Sequence, residues 1–312
     1  MRPWRKNYAK RAGNTTLHKF DPRNTCWLYW SGRWTPVRSC IGVDIREIHV
    51  CLSTAINFKI IVNCGPCEEY IGTCLESVMS QSVTAWEAFV TVDPCGDGTF
   101  ERASRETRGD ARIHVKRNET RLYSLCNLVT AIRESNAEPE DVIVVLDGDD
   151  WFATEHALLT IACVYENFDC WMTYGSWLSN VPRPDGRRDG LWPAYPEGTT
   201  RFRHTRWLGT AVRTWKKWLW DHIEDADLRN DSGEYFRVSE DQAVMLPLLE
   251  MCGTSKAKHV SEPIMVYNKK IKYKVDGQIA EESARNAHLL DIRPPYPRIE
   301  SKVLREVAAA GA

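Results

Sequence analysis

The stretch Val142–Phe152, VIVVLDGDDWF, decides the fold. A run of aliphatic residues leads directly into Asp147, Gly148, Asp149 and Asp150, which predicts a buried strand whose carboxyl end carries carboxylates. Asp and Gly also favour turns, so a purely structural turn is the simplest alternative. Three carboxylates within four residues nevertheless repel one another unless a cation offsets their charge. Their hard oxygen atoms are preferred ligands of Mg²⁺ and Mn²⁺, so the stretch predicts a divalent metal site.

Short apolar strands alternate with amphipathic helices over much of the chain. This alternation predicts a mostly parallel sheet covered by helices on both faces, with ligands bound outside the carboxyl ends of the strands. Asp93 and Asp147 each end a predicted strand, so we expect both to face one crevice. The predicted strands are Phe58–Cys64, Ala88–Asp93, Arg112–Arg117, Asp141–Asp147 and Asp169–Gly175.

The remaining segments are predicted from composition and from helix signals. Residues 1–55 are rich in Trp and Arg and form an irregular or short-stranded N-terminal extension. Ser179–Thr205, rich in Pro, Gly and Arg, predicts a long loop. Two helices are expected after it, an aromatic one at Arg206–Ile223 and one capped by Ser239 and stopped by Gly253. The predicted domains are 1–55, an α/β half at 56–178, a second half at 179–273, and a helical tail at 274–312.

Composition excludes several classes of function. A net charge of −1 over 312 residues lacks the basic surplus of a nucleic-acid binder, so no nucleic-acid partner is expected. No apolar run of about 18 residues and no signal peptide are present, which predicts a soluble cytoplasmic protein; a peripheral membrane contact stays open. The odd number of cysteines, 11, predicts reduced thiols, and the Cys64–Cys67 pair lacks the second pair that a zinc site needs.

Five segments between Phe58 and Asn268 together resemble the family 2 glycosyltransferases of the GT-A fold. They are IIVNCGPCEEYIGTCLESVMSQSV, FVTVDPCGDGT, VKRNETRLYSLCN, VVLDGDDWF and SEDQAVMLPLLEM, in the family's order. Two departures are visible. Pro94 replaces the second Asp of the second segment, and the third segment keeps Asn118 and Asn127 but lacks the family's Gly and Arg.

The resemblance implies a Rossmann-like, mostly parallel GT-A sheet flanked by helices, with a helical segment on the acceptor side. It also implies an enzyme that moves a sugar, with inversion, from a nucleotide sugar, expected to be UDP-linked, to a hydroxyl of a glycan, lipid-linked or protein-linked acceptor. Asp149 and Asp147 would hold Mn²⁺ or Mg²⁺, which stabilises the departing diphosphate. Asp241 would be the general base, with Glu240 as the second candidate.

Further roles follow from matching positions. The resemblance assigns Pro66, Glu68, Asp93, Asn118 and Asp147 to donor-nucleotide binding, although Pro66 and Glu68 equally suit a plain helix start.

Two residues are candidates for acceptor binding. Trp177 would provide an aromatic surface for a sugar, and His204 lies in the basic loop segment, which is otherwise explained as a solvated surface.

Three alternative functions are open at this point. The chain is either a degenerate GT-A domain that binds without catalysis, a sugar nucleotidyltransferase, or, from the letters of Gly148, Asp149 and Asp150, a viral RNA polymerase. A nucleotidyltransferase needs a basic, Gly-rich phosphate loop after the first strand, where this chain is acidic. The polymerase motif lies in a hairpin, whereas a helix is predicted here. A metal-dependent transferase therefore fits the residues best.

Overall fold

The computed structural model describes residues 17–20, 26–30, 33–37, 56–181, 190–270, 277–302 and 304–305. The chain divides into two compact units, Met1–Ser53 and Thr54–Ala312. The first contains an antiparallel sheet of three strands, which is the short-stranded alternative of the prediction. Its strands are β1 (Leu17–Phe20), β2 (Cys26–Trp30) and β3 (Arg33–Val37). The four predicted domain boundaries stay a prediction.

A mixed sheet of seven strands forms the centre of the second unit, in the order β12-β9-β11-β7-β4-β5-β6. Its pairs are parallel except those of β11, which is antiparallel to both of its neighbours. The predicted mostly parallel α/β sheet is confirmed. The strands are β4 (Phe58–Cys64), β5 (Trp86–Val92), β6 (Ile113–Arg117), β7 (Val142–Asp147), β9 (Met172–Gly175), β11 (Arg213–Lys216) and β12 (Ala257–Val260).

Both faces of this sheet are buried, which explains why its central strands are nearly continuous apolar runs. Side chains alternate between faces along a strand. Ile60 and Val62 of β4 therefore join one hydrophobic core, whereas Ile61 joins the other. Burying each such side chain contributes about 1.5–3 kcal/mol. The central strands are thus fixed in register, and so are the residues at their carboxyl ends.

Helices cover the two faces of the sheet. Residues of α1 (Glu68–Met79), α2 (Thr99–Glu106) and α4 (Ala157–Phe168) pack into the first core. Residues of α3 (Tyr123–Glu134) and α6 (Glu240–Lys256) pack into the second. The other helices are α5 (Lys217–Trp220) and α7 (Gly277–Ile292), with short 3₁₀ turns at Phe202–His204 and Asp225–Leu228.

A small second sheet joins the segment after β7 to two later segments of the chain. Strand β13 (Met265–Tyr267) lies between β10 (Leu178–Ser179) and β8 (Trp151–Phe152). It pairs in parallel with β10 and antiparallel with β8. The aspartates that follow β7 are therefore brought next to the residues around Trp177 and Tyr267.

The predicted aromatic helix at Arg206–Ile223 is wrong. Arg213–Lys216 forms β11, and the helix that follows is only four residues long. Trp215 and Trp218 are each 1% exposed, so their aromatic rings serve the core. The sequence pattern could not separate the two structures because a short apolar run suits either a buried strand or a buried helix. The place between β7 and β9 in the sheet decides for the strand.

Two further predictions need correction. Ser239 has a left-handed backbone conformation, with φ of 62°, and its side chain makes no capping hydrogen bond to α6. Gly253 interrupts the helical backbone, with φ of 52°, but the helical segment continues to Lys256. The predicted loop is described at 190–205. Within it Tyr195 and Phe202, 4% and 2% exposed, pack into the second core.

Among the described residues, no helix is long and apolar enough to cross a membrane.

Candidate active site

The carboxyl ends of the central strands form the floor of the site. Asn63 of β4 lies in register with Asp147, the last residue of β7. Gly148 N–H donates to the Asn63 carbonyl at 2.8 Å, and Asp150 N–H donates to the Asp147 carbonyl at 2.9 Å. The chain therefore turns sharply after Asp147, and three aspartates lie on one tight turn.

Gly148 is required in this turn by close packing. A Cβ atom at this position would lie 2.5 Å from Cys64 Sγ and 3.0 Å from Cys67 Sγ. Both thiols are buried beneath the turn. A hydrogen bond with Cys67 and burial raise the pKa of the Cys64 thiol well above its ordinary value. The CxxC pair is thus a packing element under the aspartates, and such inert thiols are unsuited to redox exchange.

Asp150 anchors the turn. Its side chain is buried, with the residue 2% exposed, and Oδ1 accepts a hydrogen bond from the Asn268 N–H at 2.8 Å. Burial, and then the charge of Asp147, raises the pKa of Asp150 to about 9. This contact fixes the turn to the end of β13.

Asp147 and Asp149 are less buried than Asp150 and are the candidates for metal binding. Burial raises the pKa of Asp147, the guanidinium of Arg213 opposes this shift, and the charge of Asp241 adds to it. In the described part of the chain, no group of three or more His, Cys, Asp or Glu residues could by itself hold a metal ion. Mg²⁺ is commonly held by one or two carboxylates together with substrate phosphates. The two aspartates fit a metal of that kind, which the substrate helps to bind.

The first residues of α6 place two more acids in the site. Glu240 and Asp241 open this helix, and the charge of Asp241 acts on Asp147 at the end of β7. Burial, and then the charge of Asp241, raises the pKa of Glu240 to about 7. At neutral pH Glu240 is therefore partly protonated.

A single arginine lies among these acids. Arg213 Nη1 is 3.9 Å from Asp241 Oδ2, with the two side chains 15% and 32% exposed. The guanidinium also lowers the pKa values of Asp147, Asp150 and Glu240, against the larger effect of burial. The sequence did not indicate Arg213 as a site residue, because Arg213 lies within the wrongly predicted helix. The pairing of Arg213 with Val145 of β7 is what brings its side chain to the site.

The predicted nucleotide ligands Asp93 and Asn118 form a buried network. Asn118 Nδ2 donates to Asp93 Oδ1 at 2.8 Å and to Asn127 Oδ1 at 2.7 Å. The Asp93 carboxylate also accepts the N–H groups of Leu122 and Tyr123, at 3.1 and 2.9 Å. The three polar residues that match the second and third motifs thus meet at the start of α3. Nucleotide binding by Asp93 and Asn118 stays a prediction, since protein groups already occupy several of their bonding positions.

Glu68 joins two helix starts. Its Oε2 accepts the Gly98 N–H at 2.8 Å, and Asp97 Oδ2 accepts the Glu68 N–H at 3.2 Å. These two bonds link the turns before α1 and α2. Pro66 is exposed on the first of these turns. The predicted nucleotide contacts of Pro66 and Glu68 stay predictions, beside this structural role for Glu68.

The two predicted acceptor residues lie in different surroundings. Trp177 packs against Tyr267, with ring centroids 5.0 Å apart, and the charges of the nearby aspartates contribute to a raised pKa of Tyr267, after burial. His204 instead pairs with Asp291 of α7, Nδ1 to Oδ1 at 2.9 Å. Trp177 is therefore placed near the aspartate turn, whereas His204 contacts α7.

The comparison with known families gives the identity of this arrangement. The family model described as Glycosyl transferase family 2 matches residues 60–211. This range begins within β4 and includes β5, β6, β7 and the aspartate turn. The chain carries a family 2 glycosyltransferase domain. The predicted family and the predicted class of enzyme are therefore confirmed. No curated protein matches the sequence significantly.

Solved structures show that this glycosyltransferase domain has the GT-A fold. The crystal structure of S. aureus TarS 1–349 in complex with UDP is similar with a TM-score of 0.56 and 19% identity, over 75% of this chain and 65% of that chain. The complex of TarS 1–349 with UDP-GlcNAc gives 0.54 and 19%, over 72% and 64%. The chain thus spans less than two thirds of the TarS 1–349 structures.

A third structure is more distant. The mannosyltransferase PcManGT from Pyrobaculum calidifontis, in complex with GDP-Man and Mn²⁺, matches with a TM-score of 0.47 and 16% identity, over 70% of this chain and 58% of that chain. At this similarity it supports no inference about the ligands of the present glycosyltransferase.

Proposed function

We propose that this glycosyltransferase moves a sugar from a UDP-linked nucleotide sugar to an acceptor hydroxyl, with inversion at the anomeric carbon and with Mn²⁺ or Mg²⁺. The observation that carries the proposal is the meeting of two acidic elements, the turn after β7 and the start of α6. Arg213, which pairs with Val145 of β7, lies 3.9 Å from the Asp241 carboxylate, and the charge of Asp241 also acts on Asp147. Both observations support a shared site. A transfer reaction needs one element that stabilises the leaving group and one that activates the attacking hydroxyl.

Asp241 is the proposed general base. It takes the proton from the acceptor hydroxyl as that oxygen forms a bond to the anomeric carbon and the bond from this carbon to the diphosphate breaks. The leaving group is the whole nucleoside diphosphate, UDP, whose terminal phosphate keeps the oxygen of the broken bond. Attack from the face opposite the leaving group gives inversion. Glu240 is the second candidate, since a pKa raised to about 7 also suits a general base at neutral pH. The ion pair with Arg213 and a side chain that is 32% exposed favour Asp241.

Asp149 and Asp147 are the proposed metal ligands. When bound, the metal stabilises the negative charge that develops on the diphosphate. The role of the chain is to fix the two aspartates. The close packing of Gly148 on Cys64 and the hydrogen bond of Asp150 to Asn268 both hold the turn in place. A rigid turn of this kind avoids reorganisation during the reaction.

The acceptor is proposed to carry a sugar next to the reacting hydroxyl. Trp177 and Tyr267 support this proposal, since their packed rings lie beside the aspartate turn and Tyr267 is 39% exposed. An acceptor of this kind includes glycans and glycan-bearing lipids or proteins. His204 remains a weaker candidate because its partner lies on α7. The nucleotide half at 56–178 and the acceptor half at 179–273 are proposed on the same grounds.

The donor is tested by a screen of UDP- and GDP-sugars for hydrolysis with Mn²⁺. UDP-GlcNAc is the first choice because the similar TarS structure contains it. Calorimetry of UDP with and without Mn²⁺ supplies a readout that needs no turnover. Absence of metal-dependent nucleotide binding would favour the non-catalytic alternative.

The base is tested by Asp241→Asn, with Glu240→Gln as the matched variant. Asp241→Asn is expected to bind UDP normally and to lose turnover by about 10²–10⁴-fold. Glu240→Gln should lose much less. The reverse order of losses would assign the base to Glu240.

A further inference from the structure

Arg213 lies inside an acidic site and has unused donor capacity. Its side chain is 15% exposed, and its Nε atom is buried without a hydrogen-bond partner among the described residues. A buried guanidinium group that lacks partners is costly to the folded protein. Such a residue in the middle of a glycosyltransferase site therefore points to a role in the reaction.

The position of Arg213 is fixed by the sheet. Thr214 and Trp215 of the same strand pair with β7 on one side and β9 on the other. Trp215 is buried in the second core. The guanidinium group is thus held by a rigid strand, while Asp241 lies on the first turn of a separate element, α6. An ion pair between the two connects the base to the sheet.

The charges around Arg213 come from three elements. Asp147 ends β7, Asp150 lies on the turn after it, Glu240 and Asp241 belong to α6, and Tyr267 belongs to β13. The guanidinium charge lowers the pKa values of Asp147, Asp150, Glu240 and Tyr267, against burial, and its Nη1 is 3.9 Å from the Asp241 carboxylate. Arg213 therefore offsets part of the negative charge of four carboxyl groups.

We propose that Arg213 is a positioning residue for the general base, whose guanidinium group holds the Asp241 carboxylate in place at the start of α6. This inference rests on the proposed role of Asp241. The separation of 3.9 Å is longer than a hydrogen bond. Catalytic contacts that are long in a ligand-free site often shorten in the substrate complex. Arg213 therefore acts on the acceptor proton through Asp241.

The direct test compares turnover with donor affinity. Arg213→Gln and Arg213→Met should lower kcat for hydrolysis of the best donor by about tenfold or more, since a displaced catalytic group slows the chemical step. Arg213→Lys keeps the charge and should lower kcat less. Lys216→Met is the control, since Lys216 lies on the same strand but pairs with Glu140.

Kinetics show whether the effect reaches the reaction. The acid limb of kcat/KM for hydrolysis of the best donor should move to higher pH in Arg213→Gln, with the UDP affinity within about threefold of the wild type. In an Asp241→Asn background, Arg213→Gln should cause little further loss because both changes remove one function. Both results support the inference.

Three outcomes overturn it. Unchanged turnover with an unmoved acid limb in Arg213→Gln or Arg213→Met contradicts the inference even if the proposed function is right. A tenfold loss of UDP affinity with an unchanged pH profile makes Arg213 a ligand of the diphosphate instead. Normal turnover of Asp241→Asn overturns the proposed base, and this inference falls with it.

Discussion

The change Gly148→Ala tests whether the aspartate turn depends on the thiols beneath it. The family 2 pattern that this stretch resembles has Ala between its aspartates. In this protein, however, a methyl group added at Gly148 would lie 2.5 Å from Cys64 Sγ. This distance is about 1 Å inside an ordinary contact. Cys64 is 2% exposed and Cys67 3% exposed, so neither sulfur has open space into which it can move.

The expected losses follow from that overlap. Overpacking of a close-packed core costs about 1–3 kcal/mol. For a unit of this size we expect the melting temperature to fall by about 2–4 °C for each kcal/mol. The turn must also move by a large fraction of the overlap, and a displacement of about 1 Å in a catalytic group can lower activity by about 10²-fold. Gly148→Ala should therefore weaken both folding and Mn²⁺-dependent UDP binding.

Unfolding in urea and calorimetry with UDP measure the two effects. Gly65→Ala is the matched control, since a Cβ atom there meets nothing within 4 Å, and it should be neutral or slightly stabilising. Removing the sulfur in Cys64→Ala should restore much of the stability of Gly148→Ala in the double variant. If Gly148→Ala is as stable and as active as Gly65→Ala, the packing argument is refuted.

Three other predictions concern the acids and the aromatic pair. Asp149→Ala should abolish Mn²⁺-dependent UDP binding in calorimetry, whereas Asp150→Asn, which can still accept the hydrogen bond, should weaken it only a few-fold; equal losses would contradict the assignment of the ligands. The pKa of Glu240 is raised from 4.5 to about 7 by folding, so between these pH values the folded protein binds a proton that the unfolded chain does not. The free energy of unfolding of the wild type therefore falls as pH rises from about 4.5 to 7. Urea midpoints at pH 5 and pH 8 should show Glu240→Gln gaining relative to wild type at the higher pH, and a constant difference would argue against the shift. Trp177→Ala should raise the KM of a sugar acceptor by about tenfold with donor hydrolysis unchanged, and Trp220→Ala serves as a control for loss of a Trp from the core.

The sequence predicts the nucleotide side of the fold well. Strands β4 to β7 and β9, with the helices between them, lie where the alternation of apolar residues places them. The reason is that each parallel strand is buried on both faces and each helix on one, so both leave strong patterns.

The acceptor side was harder to predict because its elements are short and depend on distant partners. Strand β11 forms in a gap between two earlier strands, and nothing local distinguishes Arg213–Lys216 from a helix turn. Arg213 was therefore not predicted as a site residue. Tyr267 was missed for a similar reason, since it comes next to Trp177 only through the pairing of β13 with β10. The bonds that occupy Asp93 are likewise set by the backbone of α3, which a motif does not show.

The late position of β11 in the sequence has a consequence for how the protein folds. Strands β7 and β9 leave the ribosome before the strand that must lie between them. Until Arg213–Lys216 is synthesised, the edges of β7 and β9 that face β11 stay unpaired, and such edges promote aggregation. A fragment ended at residue 178 would keep these edges permanently. A shortened chain should therefore extend through α5, and chaperone demand should be greatest in the interval of translation between β9 and β11.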